Sequence, residues 1–441
     1  MPKLFTEFNL SKQLQNALND LGLEQATPIQ EKAYPVISTG RDAVGIAQTG
    51  TGKTMAYLLP LLRQLTYSTE KPPRILILVP TRELVAQVVD NCEALCKYMN
   101  VRIVGIYGGS NINTQRAAVT AGCDILVATP GRLIDLASTR SINLNNIKKL
   151  VIDEVDEMLN LGFRAQLMQV LERLPVKRQN LLFSATLSED VEAVIKSSFV
   201  EPVFLETVER GTPLERIKQS YYETPNFYSK LNLLDYLLRK NNEMNKVLVF
   251  VRNKTIANYL ELELHSLGHS YGVIHSNKTQ PHRFEMVKKF GEGSIRILVA
   301  TDVIARGLDL RGVSHVVNFD FSEQPETYIH RIGRTGRAEQ DGNAISFVSA
   351  KQFKWLDKVE ALMKIDVEEL EWPSKLEKSL ELLPEEEPVK KVKGKIQKTA
   401  EAGGGAFHEK KAKNSKLQLG GKRKQETLRR KFLKSIRKRN R

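Results

Sequence analysis

Cysteine and tryptophan are scarce in this sequence: its 441 residues hold 3 Cys and 2 Trp. Three thiols, Cys92, Cys96 and Cys123, do not make a disulfide framework. Cys92 and Cys96 fall one helical turn apart, with no His or further Cys nearby to complete a metal site. That usage fits a reducing, cytoplasmic setting. Long apolar runs are also missing. Nothing approaches the roughly 20 residues that span a bilayer, so no membrane partner is expected. The start, "MPKLFTEFNL", lacks the charged-then-apolar order of a secretory leader. Acidic residues are sparse at the carboxyl end, where residues 390–441 carry 20 Lys and Arg against 3 Asp and Glu. The whole chain is +15, so its body is close to neutral and the basicity belongs to the tail.

What is present is a series of short, continuous apolar runs alternating with helical patterns. "DAVGIA", "RILILVP", "VRIVGIY", "DILVATP", "KKLVIDE" and "NLLFSAT" span residues 42 to 186. "KVLVFV", "SYGVIH", "RILVATD", "HVVNFD" and "NAISFV" span 246 to 348. Uninterrupted apolar strands are those covered by helices on both faces. Two series imply two parallel-sheet α/β domains, with the polar stretch 206–219 as the linker between them. The expected bounds are 1–206, 217–370 and a basic tail at 371–441. The tail is too poor in large apolar residues to fold alone, although "ETLRRKFLKSIRKRNR" has the pattern of a short basic helix.

Three stretches carry chemistry. "GIAQTGTGKT" (45–54) lies between a strand and a helical run. Gly50 and Gly52 let backbone amides approach an anion, Lys53 brings positive charge to phosphates, and the Thr54 hydroxyl can reach Mg²⁺. "LVIDEVDEML" (150–159) gathers four carboxylates behind a strand. Asp153 suits a Mg²⁺ ion held through water, and Glu154 suits a base that orients a water toward a γ-phosphate. Glu157 reads as a solvated acid at a helix start. "HRIGRTGR" (330–337) is fit to present Arg334 and Arg337 to a triphosphate held by the first domain. A plain RNA-contacting basic loop is the other reading of that stretch.

Taken in order, these stretches resemble a DEAD-box ATP-dependent RNA helicase of superfamily two, of a bacterial kind, with "DEVD" (153–156) at the name motif. The resemblance runs from about Phe5 to residue 350. It is carried further by "ATPIQ" (26–30), "PTRELVAQ" (80–87), "GG" (108–109), "TPGR" (129–132), "SAT" (184–186), "VFVRNK" (249–254) and "ATDVIARGLD" (300–309). Val155 replaces the family's usual Ala, Leu23 stands where an aromatic residue often stacks on adenine, and Ala26 replaces a frequent Pro.

The resemblance implies two tandem RecA-like domains closing on one ATP, with Mg²⁺ and RNA as the other ligands. Phe5 and Gln30 would read adenine. Thr49, Gly50, Thr51, Gly52, Lys53 and Thr54 would cradle the phosphates, and Asp309 would reach the ribose. Ser184, Thr186 and His330 would couple ATP to RNA. Arg82, Gly109, Thr129, Arg132 and Thr301 would hold the RNA backbone with little regard to sequence. The expected protein is a cytoplasmic monomer acting on single-stranded or duplex RNA, with ribosomal particles among its partners. An ATP-switched RNA clamp and a DNA-acting motor stay open as alternatives.

Overall fold

The computed structural model describes residues 3–47, 51–206, 216–302, 310, 312–336 and 341–386. Both sheets lie within one compact unit, Met1–Glu387. Among the described residues no helix is long and apolar enough to cross a membrane.

The first series of apolar runs forms β1 (Ala43–Ile46), β2 (Ile75–Leu78), β3 (Ile103–Ile106), β4 (Ile125–Ala128), β5 (Lys149–Ile152) and β6 (Gln179–Ser184). A further strand, β7 (Val203–Glu206), pairs with β1. All are parallel, in the order β3-β4-β2-β5-β6-β1-β7. The runs lack alternation because both faces are covered. One face packs Leu14, Tyr57 and Phe183, the other Leu133, Met158 and Val191.

The second sheet contains β8 (Ile217–Glu223), β9 (Val247–Val251), β10 (Tyr271–Ile274), β11 (Ile297–Thr301), β12 (His315–Asn318), β13 (Gly342–Val348) and β14 (Glu368–Glu369). Its order is β10-β11-β9-β12-β13-β8-β14, again all parallel. This is the tandem RecA-like arrangement the sequence led us to expect.

The sheet order sorts the motifs. In a parallel sheet ligands gather at the carboxyl ends of the strands, where the order reverses. The phosphate loop, the DEVD acids and the SAT element follow β1, β5 and β6, which are neighbours. "PTRELVAQ", "GG" and "TPGR" follow β2, β3 and β4, which are also neighbours. One edge of one sheet therefore carries two adjoining sites, and β2 and β5 meet at their border.

Two boundaries differ from expectation. The linker stretch ends inside β8, whose polar-alternating sequence hid a strand. Residues 371–386, assigned to the tail by composition, pack on the second sheet. Leu383 is 2% exposed there, with Trp372 and Leu376 against the same core as Phe227. A few apolar residues spaced along a polar stretch suffice when a preformed face receives them.

Candidate active site

The nucleotide half is built on two helix starts. Gly52 caps the helix Lys53–Gln64 in a left-handed conformation, φ +87°. A Cβ there would lie 2.3 Å from Gln30 Nε2, so glycine is needed both for the turn and for the approach. The Gln30 amide donates to Gly52 O at 3.1 Å, and its Oε1 accepts from Thr27 N at 2.9 Å. Gln30 thereby joins the "ATPIQ" segment to the phosphate loop. Phe5 is 4% exposed and packs edge-on to Phe8, so it floors this segment from inside the core. Leu23 is half-buried against the same core. Thr51 and Thr54 are half-buried, and Lys53 is buried, its Nζ having no hydrogen-bond partner among the described residues.

Facing Lys53 are the carboxylates after β5. Asp153 Oδ2 accepts from Tyr57 Oη at 3.0 Å, and Oδ1 from the Glu154 amide at 2.9 Å. Glu154 has φ +50°, a backbone position that costs a non-glycine residue about 1–3 kcal/mol and is found at functional sites. Its Oε2 is buried without a hydrogen bond from the described residues. Burial raises the proton affinity of Asp153 and Glu154. Lys53 opposes that rise at both, and Arg334 opposes it at Glu154. An unsatisfied buried ammonium beside an unsatisfied carboxylate oxygen is costly unless a ligand completes both. Among the described residues, no group of three or more His, Cys, Asp or Glu could hold a metal by itself.

Asp156 is the junction. Its Oδ2 accepts from the Ala185 and Thr186 amides at 3.2 and 3.1 Å and from Thr186 Oγ1 at 3.1 Å. Ser184, fully buried, completes the SAT contact with Asp156. The same oxygen meets His330, from the helix Pro325–Ile332 of the second sheet, with Nε2 3.4 Å from Oδ2. His330 Nδ1 contacts Glu157 Oε1. Burial alone would lower the imidazole's pKa, but the two acids outweigh it and raise it to about 9. Burial likewise works against ionising Asp156, and the contact with His330 reverses this, holding it well below the usual carboxylate range.

This corrects one reading: Glu157 is not solvated. It is 3% exposed and meets a histidine from the other sheet. Arg334 is 4% exposed and close enough to stabilise the Glu154 carboxylate.

The second half of the edge carries two arginines, Arg82 and Arg132. Arg82 opens the helix Arg82–Leu95 behind its cap Thr81, whose hydroxyl accepts from Leu84 N at 3.3 Å. Gly109, at φ +79°, lies flat on the Arg82 guanidinium, and a Cβ would come within 2.4 Å of it. Thr129 caps the helix Pro130–Ser138 at the end of β4. Arg132 is 8% exposed and is held by Gln115 Oε1 at 2.7 Å and Ser110 O at 3.2 Å. Thr301 ends β11 in the second sheet and is half-buried.

A second contact crosses between the sheets here. Glu83, 5% exposed, pairs with Arg283 of the helix Gln280–Gly291 and accepts from Gln280 Nε2 at 2.8 Å. Sequence reading missed Gln115, Gln280 and Arg283. Glu83 sits inside the quoted "PTRELVAQ", and its burial is invisible without the partner. Thr49, Gly50, Asp309, Arg337 and the tail 387–441 lie outside the described residues.

Comparison with known proteins places both sheets within one family. The DEAD/DEAH box helicase family matches residues 27–194 and the helicase conserved C-terminal domain residues 229–339. The DEAD-box ATP-dependent RNA helicase CshA of Bacillus subtilis is 38% identical over 378 residues, 86% of this chain and 76% of the relative. That of Geobacillus kaustophilus is 37% identical over 377 residues, 86% and 80% of the two chains. Among solved structures, S. cerevisiae Dbp5 bound to RNA and ADP BeF3 superposes with a TM-score of 0.77 at 31% identity, covering 83% of this chain and 95% of that one. Mss116p bound to ssRNA and AMP-PNP gives 0.76 at 27% identity, covering 85% and 81%. With both family domains matched in order on the two sheets that carry these sites, the chain belongs to the DEAD-box ATP-dependent RNA helicases.

Proposed function

We propose that this helicase is an RNA-dependent ATPase that closes its two domains on single-stranded RNA, and so opens short duplexes or remodels RNA–protein complexes. One observation carries the reading: Asp156 is shared between the SAT backbone of the first domain and His330 of the second. A carboxylate hydrogen-bonded within one domain and in contact with a histidine of the other is a natural sensor of whether they are together.

In this mechanism Gln30 and the segment above Phe5 hold adenine, and Asp309 the ribose. The loop 49–54 and Lys53 bind phosphates. Glu154, its proton affinity raised by burial, accepts a proton from the attacking water. Arg334 and Arg337 neutralise charge that develops on the transferred phosphoryl group. Asp153, whose two oxygens already accept hydrogen bonds, suits an ion held through water, as Mg²⁺ is, since it keeps waters and substrate phosphates as most of its ligands. Thr54 and Asp153 would hold it, and it would supply Lewis-acid charge neutralisation of the phosphates.

RNA would lie along Arg82, Gly109, Thr129 and Arg132, continuing to Thr301. Closing the domains on a strand in that groove would bend it and disrupt pairing locally, and hydrolysis would release it. The basic tail would act as a tether whose grip weakens steeply with salt. The test is steady-state ATP hydrolysis with no polynucleotide, with single-stranded RNA and with single-stranded DNA of equal length. Stimulation by RNA alone supports the reading. Equal stimulation by DNA would favour a general motor, and no stimulation a clamp.

A further inference from the structure

We propose that Lys230 and Asp320 are positioning residues for the phosphoryl-transfer step: this buried pair, braced from outside by residues 379–386, fixes the helix that carries His330 and leads to Arg334. The proposal deepens the function proposed above and rests on it.

Lys230 lies in the helix Phe227–Lys240, and its Nζ is 2.9 Å from Asp320 Oδ1, with both side chains under a tenth exposed. Neither residue belongs to the nucleotide or RNA surface. Desolvating an ion pair is expensive, and apolar residues of similar volume commonly pack as well. A pair kept in such a place therefore asks for a geometric reason.

Asp320 supplies one. Its backbone oxygen accepts from Arg331 Nη1 at 2.5 Å. Arg331 is further locked by two bonds to Asp302, at 2.5 and 2.8 Å. Arg331 is the neighbour of His330, and its own carbonyl accepts from the Arg334 amide at 3.1 Å. One hydrogen bond thus separates the Lys230–Asp320 pair from the turn that orients the catalytic arginine.

The same amino-terminal turn of the Lys230 helix is held by the segment that precedes the basic tail. The Phe227 amide donates to Glu386 Oε1 at 2.8 Å, and Asn226 Nδ2 donates to Ser379 O at 2.6 Å. Misplacing a catalytic group by about 1 Å can cost on the order of a hundredfold in rate. A slack helix here would lower turnover without touching the residues that bind nucleotide or RNA.

The experiment compares full-length wild type with Lys230→Met, Lys230→Arg and Glu386→Gln. It reads RNA-saturated kcat, KM for ATP, equilibrium binding of a fluorescent non-hydrolysable ATP analogue, and the thermal melt. The expected result is a kcat lowered by roughly tenfold or more in Lys230→Met and by a smaller factor in Glu386→Gln. Analogue binding and KM stay near wild type, and Lys230→Arg restores most of the rate. Unchanged kcat in the folded variants overturns the proposal. So does a fall in kcat that merely tracks the folded fraction. If Lys230→Met does not fold, Glu386→Gln decides the matter by the same criteria. A wild-type protein without RNA-stimulated hydrolysis overturns the function itself, whereas active wild type with indifferent variants overturns this inference alone.

Discussion

His330 Nε2 lies 3.4 Å from Asp156 Oδ2, an imidazole of the second sheet against a carboxylate of the first. The sign of its pH dependence follows from its neighbours. Asp156 and Glu157 face the ring, with Lys53 and Ser184 acting on Asp156 from behind. The contact raises the imidazole's pKa to about 9, above its ordinary 6.5 when the domains are apart. The contact's contribution to closure is therefore complete below about 6.5 and lost as pH rises through about 9. RNA-stimulated turnover of the wild type should fall through that alkaline window. His330→Gln should be slower throughout and flat across it, as read by pH–rate profiles.

Glu154→Gln should keep ATP and RNA binding and trap a closed complex, with turnover lowered by about a hundredfold or more, since general-base groups contribute factors of that size. Single-turnover hydrolysis and RNA retention check both halves of this expectation. Near-normal turnover would remove Glu154 from its role.

The Glu83–Arg283 contact joins the two sheets beside the residues proposed to hold RNA. Glu83→Gln and Arg283→Met should each reduce RNA-stimulated hydrolysis while leaving basal hydrolysis nearly unchanged. The double variant should be no worse than the more damaging single one, with a coupling of about 1–3 kcal/mol. Strict additivity in a double-mutant cycle would show that the pair does not act together.

Gly109→Ala places a methyl group where the Arg82 guanidinium lies and strains the backbone by about 1–3 kcal/mol. RNA affinity should fall by roughly tenfold with ATP-analogue binding unaltered, as measured by fluorescence anisotropy. A variant that binds RNA normally would remove Arg82 from the RNA surface.

Deleting residues 390–441 should weaken RNA binding mainly at low salt and flatten its salt dependence, because counterion release scales with the cations removed. The maximal ATPase rate at saturating RNA should stay close to that of the full chain.

The sequence revealed β1 to β6 and β9 to β13 because strands covered on both faces must be apolar throughout, which shows as unbroken runs such as "RILILVP" and "KVLVFV". β8, "IKQSYYE", has no such run and pairs on one side with the two-residue strand β14. The phosphate-loop and DEVD motifs could be picked out because each is contiguous in the sequence. Glu157 and Arg283 could not, because their burial depends on partners 173 and 200 positions away. The packed segment 371–386 was hidden for a related reason: its few apolar residues have meaning only against the face that receives them.

The border between β2 and β5 has a consequence for how such an enzyme can change over time. The Asp153 amide donates to Leu78 O at 2.9 Å, and Leu78 stands four residues before Arg82. The acid assigned to the metal and the arginine assigned to RNA thus leave the sheet from adjoining strands paired along their length, and this bond extends that ladder past its last pair. An insertion that re-registers either strand shifts both at once. Drift in RNA preference is therefore confined to the side chains on that scaffold, while the strands beneath must be inherited as a pair.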